Sequence, residues 1–222
     1  MNYLRLSNLF PPFKLTHFTD RRLEALSILD VGCGNGSPTI TKRWFPRARY
    51  VGLDMCDYNN SADDFAVMDE FVKCDLEKDS LECLPDESFD LIIMAHVIEH
   101  LHDAEHVVKS LSSKLKPNGR IYIECPTERS LRLPSGVKCL NFYDDPTHVR
   151  IYDPAAICRS SGLHVLKSGV RRDWRLVFIG LTAAIPKQLI TLFKYRKPYG
   201  PLLWDILGFA QFAIASPTIS LD

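Results

Sequence analysis

"ILDVGCGNGSPTI", residues 28–40, decides the reading of this chain: a short apolar run ends in an acid, and three glycines follow within five positions. Gly32, Gly34 and Gly36 let the backbone turn tightly and come close to a ligand without interference from Cβ, while the helix that starts behind them offers free N–H groups. The ligand is therefore nucleotide-like. A dinucleotide fold would space its glycines G-x-G-x-x-G, but Ser37 stands at the third site and the pattern is G-x-G-x-G. The turn is misplaced for a pyrophosphate. A second apolar run ends in "GLD", which puts Asp54 twenty residues past Gly34, where a carboxylate accepts both hydroxyls of a ribose. An adenosine-type group without a pyrophosphate and with a cationic tail satisfies both features, with Asp30 near the cation or orienting the turn.

Working outward, apolar runs at 27–31, 49–53, 70–74, 89–95 and 120–125 have the length and β-branched content of buried strands. Between the last two, apolar residues at 104, 107, 108, 111 and 115 recur at helical spacing, with Asp103 as the cap and "PNG" as the stop. The alternation predicts an α/β fold with a doubly wound, mainly parallel sheet. Ligands in such sheets bind at the carboxyl ends of the strands, so the loops after 31, 54, 75, 95 and 125 matter most. Beyond Cys125 the rhythm breaks. Asp153-Pro154 opens a short helix that Gly162 ends, 163–170 alternates like a strand, and 175–193 and 201–214 read as helices. A closing strand is then missing, truncated or hidden in 214–222. One domain spans 1–222: an N-terminal lid segment (1–25), a cofactor-binding core (26–126) and a substrate-side, helical C-terminal part (127–222).

Lys plus Arg and Asp plus Glu are both 27, so no basic excess calls for a nucleic acid partner. Seven cysteines form no C-x-x-C pair and read as reduced core residues of a cytoplasmic protein. The N-terminus does not resemble a secretory signal. The apolar stretch 176–185 is about half the roughly 20 residues a membrane span needs. Segment 175–215 mixes apolar side chains with Lys187, Lys194, Arg196 and Lys197, which suits either peripheral membrane contact or core packing with a solvated basic end.

The segments "ILDVGCGNG", "YVGLD", "KCDLE", "FDLIIMAHVIEHL" and "LKPNGRIYIECP" resemble, in order, the successive motifs of the class I S-adenosylmethionine-dependent methyltransferases. "VIEHL" and "DPTHVRIYD" are similar to bacterial small-molecule and glycan-associated members, relatives of the ubiquinone O-methyltransferases among them. The resemblance implies S-adenosyl-L-methionine as methyl donor and a small-molecule or glycan-type acceptor, methylated at oxygen. It also implies roles: Gly32, Gly34 and Gly36 under the methionine part and ribose, Asp54 on the ribose hydroxyls, and Met55 flanking the adenine. Asp75 would meet the adenine amino group, Leu76 the ring, and Ala95 and His96 the donor methyl. Two other classes stay in view, a non-catalytic module that keeps the cofactor pocket and an NAD-dependent oxidoreductase.

His96, Glu99 and His100 have the i, i+3, i+4 spacing of one helical face, and His148 follows the fifth strand. Three readings of Glu99, His100 and His148 are open: a general base on an acceptor hydroxyl, ligands of a divalent metal, or a pair that caps and orients the helix. Small-RNA 2′-O-methyltransferases resemble the "VIEHL" segment and use glutamates and histidines there as metal ligands. This chain has His96 where a further glutamate would stand, which argues against magnesium. Methyl transfer itself needs alignment of the reactants and exclusion of water. Residues 9–18 and 127–150, rich in aromatic and charged side chains, suit a cover over the acceptor or ordinary surface packing.

Overall fold

The computed structural model describes residues 9–181 and 185–217. A single turn, α1 (Phe13–Thr16), leads into β1 (Ser27–Val31), α2 (Ser37–Trp44), β2 (Arg49–Asp54), α3 (Ala62–Val67), β3 (Glu70–Lys73), β4 (Phe89–Ala95), α4 (Ala104–Ser112) and β5 (Leu115–Pro126). Then come α5 (Pro154–Ser160), β6 (His164–Val170), α6 (Trp174–Leu181), α7 (Ile185–Tyr195), α8 (Trp204–Leu207) and β7 (Ala210–Ser216). The seven strands form one sheet in the order β3-β2-β1-β4-β5-β7-β6. The first five are parallel; β7 runs antiparallel to both of its neighbours. Strand order reverses between β1 and β4, so a cleft opens at their carboxyl ends.

Local chemistry sets the element ends. The Asp103 carboxylate accepts the His106 N–H and starts α4, and Asp153 accepts the Ala155 N–H ahead of Pro154 at the start of α5. Period-2 alternation divides the sheet between two cores. Leu29, Val31, Ile92, Met94, Ile121 and Ile123 pack under α4 and α5, while Ile28, Leu91, Ile93 and Tyr122 face Leu15, Phe18 and Phe45.

Four expectations change. The C-terminal helix expected over 201–214 is only the turn α8, and after Gly208 at φ 71° the chain enters β7, the closing strand, between β5 and β6. Five of its seven side chains are buried in an unbroken run, a pattern whose periodicity does not separate strand from helix. Residues 218–222, where that strand was also sought, lie outside the described residues. Of the helix expected over 175–193, the described residues show helical Trp174–Leu181 (α6) and Ile185–Tyr195 (α7), and 182–184 lie outside the described residues. Helix α4 stops at Ser112, and Leu115 already pairs with Phe89 in the sheet. The N-terminal segment is a core element from Phe13 onward: Leu15 and Phe18 are buried, and Phe13 packs edge-on against Phe212. The lid expected there cannot include them, and residues 1–8 lie outside the described residues. Among the cysteines, Cys33, Cys74, Cys125 and Cys158 are buried as expected, whereas Cys56 and Cys83 are exposed; all seven are free.

Candidate active site

The glycine turn follows β1 directly, and Gly32 sits at φ 71°, a left-handed conformation that a side chain rarely adopts. Gly34 serves close approach, but to protein: a Cβ there would stand 2.5 Å from the Tyr58 carbonyl oxygen. The loop after β2 lies on the turn and takes up its polar groups. Asn35 N–H donates to Tyr58 O (3.1 Å), Gly36 N–H to Asn60 Oδ1 (3.1 Å), and Asn60 Nδ2 to Cys33 O (3.2 Å). Amides already satisfied by protein are not a phosphate cradle, which accounts physically for the G-x-G-x-G spacing. Sequence reading missed Tyr58 and Asn60; "YNN" carries only a turn signal.

Asp30 is buried, and its Oδ2 accepts hydrogen bonds from Ser37 Oγ (2.5 Å) and Tyr50 Oη (2.7 Å), with Lys14 Nζ 3.5 Å away. Its Oδ1 is equally buried and has no hydrogen-bond partner among the described residues. One oxygen orients the turn, and the other is an unmet acceptor suited to a cation such as an ammonium group. Asp54 ends β2, where burial raises its carboxyl pKa against the backbone N–H groups of Cys56, Met55 and Gly34. Met55 beside it is exposed. Asp75 follows β3 and is held below its usual range by the Lys78 ammonium at 2.6 Å and by the Glu77 N–H. Leu76 leans on the core. A buried carboxylate oxygen left without a partner among the described residues, a left-handed glycine and carboxylates at the carboxyl ends of β1, β2 and β3 fit an adenosyl sulfonium.

At the end of β4, Ala95 pairs with Glu124 on β5, and His96 follows at φ 57°. This unusual backbone for a bulky residue turns the ring inward. His96 Nδ1 donates to Glu99 Oε1 and Nε2 to Glu124 Oε1, each at 3.0 Å. Burial opposes a charge on the ring, but the two carboxylates outweigh it and raise the His96 pKa to about 9. His96 is an imidazolium with both N–H groups committed. Glu124 is held in turn by Arg171 Nη1 (3.0 Å) and by the Tyr122 hydroxyl, and Arg171 also pairs with Asp205. Sequence reading missed all four of these residues: Tyr122 shares β5 with Glu124, Arg171 and Asp205 come from other parts of the chain, and the one available signal was Glu124, an acid inside an apolar strand.

Glu99 and His100 occupy a single 3-10 turn, Ile98–His100. The expected helical face is therefore one turn, and Glu99 pairs with His96 rather than with His100. The Glu99 carbonyl accepts the N–H groups of Val149 (2.8 Å) and Arg150 (3.3 Å), which draws His148 in. One ligand atom from each of Glu99, His100 and His148 lies within 4.8 Å of the other two. His148 Nδ1 faces the Phe142 carbonyl oxygen at 2.6 Å. His100 Nδ1 faces Thr147 O (3.2 Å) and Thr147 Oγ1 (3.0 Å), whose own proton goes to Asp145 Oδ1. A carbonyl only accepts, so both Nδ1 atoms carry the proton and both Nε2 atoms keep a lone pair in the neutral ring. Glu99 Oε2 is buried without a hydrogen-bond partner among the described residues. Each of the three side chains thus has a ligand atom within reach of a shared ion, and Asp145 Oδ2 stands 4.0 Å from His148 Nε2.

Comparison with known proteins agrees with this geometry. Residues 5–161 match a family model described as a methyltransferase domain. The chain is 31% identical over 119 residues to a ubiquinone biosynthesis O-methyltransferase of Pelagibacter ubique, covering 52% of this chain and 48% of that one. It is 30% identical over 133 residues to the mitochondrial enzyme of that name from Bos taurus, covering 55% and 34%. The chain thus spans about half or less of the length of these curated relatives. A SAM-dependent methyltransferase from Archaeoglobus fulgidus shares the fold at a TM-score of 0.58 and 21% identity, with 97% of this chain and 100% of that one covered. One from Aquifex aeolicus does so at 0.55 and 15%, covering 98% and 100%. With the family match running from ahead of the glycine turn to beyond His148, the chain belongs to the class I S-adenosylmethionine-dependent methyltransferases.

Proposed function

We propose that this protein transfers a methyl group from S-adenosylmethionine to a hydroxyl of a small molecule, and that Glu99, His100 and His148 hold a divalent cation at the acceptor oxygen. The observation that carries the second half is the grouping of one ligand atom each from Glu99, His100 and His148 within 4.8 Å, on imidazoles whose Nδ1 atoms face carbonyl oxygens. Backing of that kind is what metal-bound histidines receive. Two nitrogens and one carboxylate oxygen suit a zinc-like or other transition-metal ion better than magnesium, because His96 occupies Glu99 Oε1 and leaves one oxygen free.

In this reading Asp54 accepts the ribose hydroxyls, Asp30 Oδ1 faces the methionine ammonium, and Asp75 and Leu76 border the adenine. Ala95 and His96 close the wall at the methyl. Bound S-adenosylmethionine would supply a methyl on a cationic sulfur that leaves as a neutral thioether, and a cation held by Glu99, His100 and His148 would lower the acceptor hydroxyl's pKa so that its proton passes to solvent as the O–CH3 bond forms. The chain's own part is to align, to exclude water and to hold the hydroxyl oxygen. The relatives from Pelagibacter ubique and Bos taurus are named for O-methylation in ubiquinone biosynthesis, which supports a small-molecule acceptor; a glycan-type acceptor rests on the resemblance of the motifs alone. Calorimetric titration with S-adenosylmethionine tests the donor half: binding weakens about 10- to 100-fold in Asp54→Ala, as expected for loss of hydrogen bonds to a charged group. NADH binding with no response to the sulfonium overturns the reading.

A further inference from the structure

Helix α7 is inside out. At 100° per residue, Ile185, Leu189, Ile190, Leu192 and Phe193 fall within one arc of about 160°, and all five are exposed, Ile190 at 64% and Phe193 at 87%. The side facing the protein is polar. Thr191 is buried, Gln188 exchanges hydrogen bonds with the backbone of Tyr199 (3.0 and 2.8 Å), and Lys187 Nζ lies 3.8 Å from the Tyr199 ring centre. A helix that served only the core would present the opposite faces. Helix α6 adds Trp174, 72% exposed. Charge says what covers the face: residues 174–204 contain no Asp or Glu, and Lys187, Lys194, Arg196 and Lys197 flank the apolar arc. A second copy of this chain would bring the same positive charges against themselves, whereas an anionic bilayer neutralises them and takes up the apolar arc.

We infer that α7 is an in-plane anchor that seats the protein on an anionic lipid surface. No helix among the described residues is long and apolar enough to cross a membrane, in keeping with a helix that lies on one. The anchor is joined to the candidate site. Val137 exchanges backbone hydrogen bonds with Pro198 and Gly200, and Lys197 Nζ reaches Ser135 Oγ (2.8 Å). The Trp204 indole donates to Cys139 O (2.7 Å), and the same segment ends in Phe142, whose carbonyl orients His148. Seating α7 therefore places the histidine-bearing segment next to the lipid. In one respect the inference rests on the small-molecule reading above, namely that an acceptor dissolved in the bilayer would be within reach.

The test is co-sedimentation of the full chain with vesicles of phosphatidylcholine alone, or of phosphatidylcholine with about one third phosphatidylglycerol. The expected result is at least about tenfold stronger partitioning onto the anionic vesicles, reduced by salt. Phe193→Glu and Ile190→Glu should each lose about tenfold or more, with circular dichroism unchanged. Lys194→Glu should weaken anionic binding alone. No partitioning at either composition overturns the inference, as does a dimer in light scattering that Phe193→Glu converts to monomer without vesicle binding. Sulfonium titration of the same samples separates the two proposals: wild-type protein that binds vesicles but not S-adenosylmethionine overturns the reaction and leaves the anchor standing.

Discussion

The two ends of the cleft are built on different principles. On the β1–β2–β3 side the chain turns on backbone features, with a left-handed Gly32, satisfied amides and a carboxylate at the carboxyl end of each strand, all from residues 30–76. On the β4–β5 side the walls are charged side chains gathered from afar: His96, Glu124, Arg171 and Asp205. Conformation is cheap to specify locally, since a glycine or a cap acts on its own neighbours. Buried charge is not, because each ion needs a partner delivered by another element. The proposed donor end should therefore tolerate changes at the proposed acceptor end, and the reverse.

The sharpest break of that comparison is at the triad. His100→Ala should lower turnover by about 10²- to 10⁴-fold with sulfonium affinity unchanged. Activity that survives metal chelation would remove the cation and leave a general base. Next comes the charged network. Arg171→Met leaves Glu124 and Asp205 without their shared cation, and a loss of about 3–5 kcal/mol should lower the melting temperature by roughly 6–20 °C. A shift of a degree or two would mean that the network is decoration.

The smallest effect is a pH dependence on the back of the sheet. His17 stacks on Tyr122 and Phe212, and burial, then the nearby Lys167 charge, hold its pKa down to about 4. Between about 4 and the ordinary 6.5 the unfolded chain binds a proton that the folded chain does not, so stability is full above 6.5 and falls as the pH drops toward 4. At most about 3 kcal/mol is involved. In His17→Phe, melting temperatures between pH 4 and 7 should depend less on pH than in the wild-type protein; identical slopes would show that His17 carries none of the dependence.

Much of the donor end was legible because its signals are short-range. Strand, turn and acid recur in one order, and the structure puts Asp30, Asp54 and Asp75 at the carboxyl ends where the spacing placed them. At the acceptor end, Glu99, His100 and His148 were legible as residues but not as an arrangement. The spacing suggested one helical face, whereas the backbone supplies a positive φ at His96 and a single 3-10 turn. Strand β7 was misread because a strand buried on both faces loses its alternation.

The parallel sheet, the glycine turn and the order of the strand-end carboxylates are written in local sequence, since propensity, capping and glycine conformation act within a few residues. Folding adds the clamp of two carboxylates on His96, a Glu99 oxygen without a hydrogen-bond partner among the described residues, and the outward apolar side of α7. Each of these depends on what a neighbour distant in the chain presents, and burial, charge pairing and exposure are properties of neighbours.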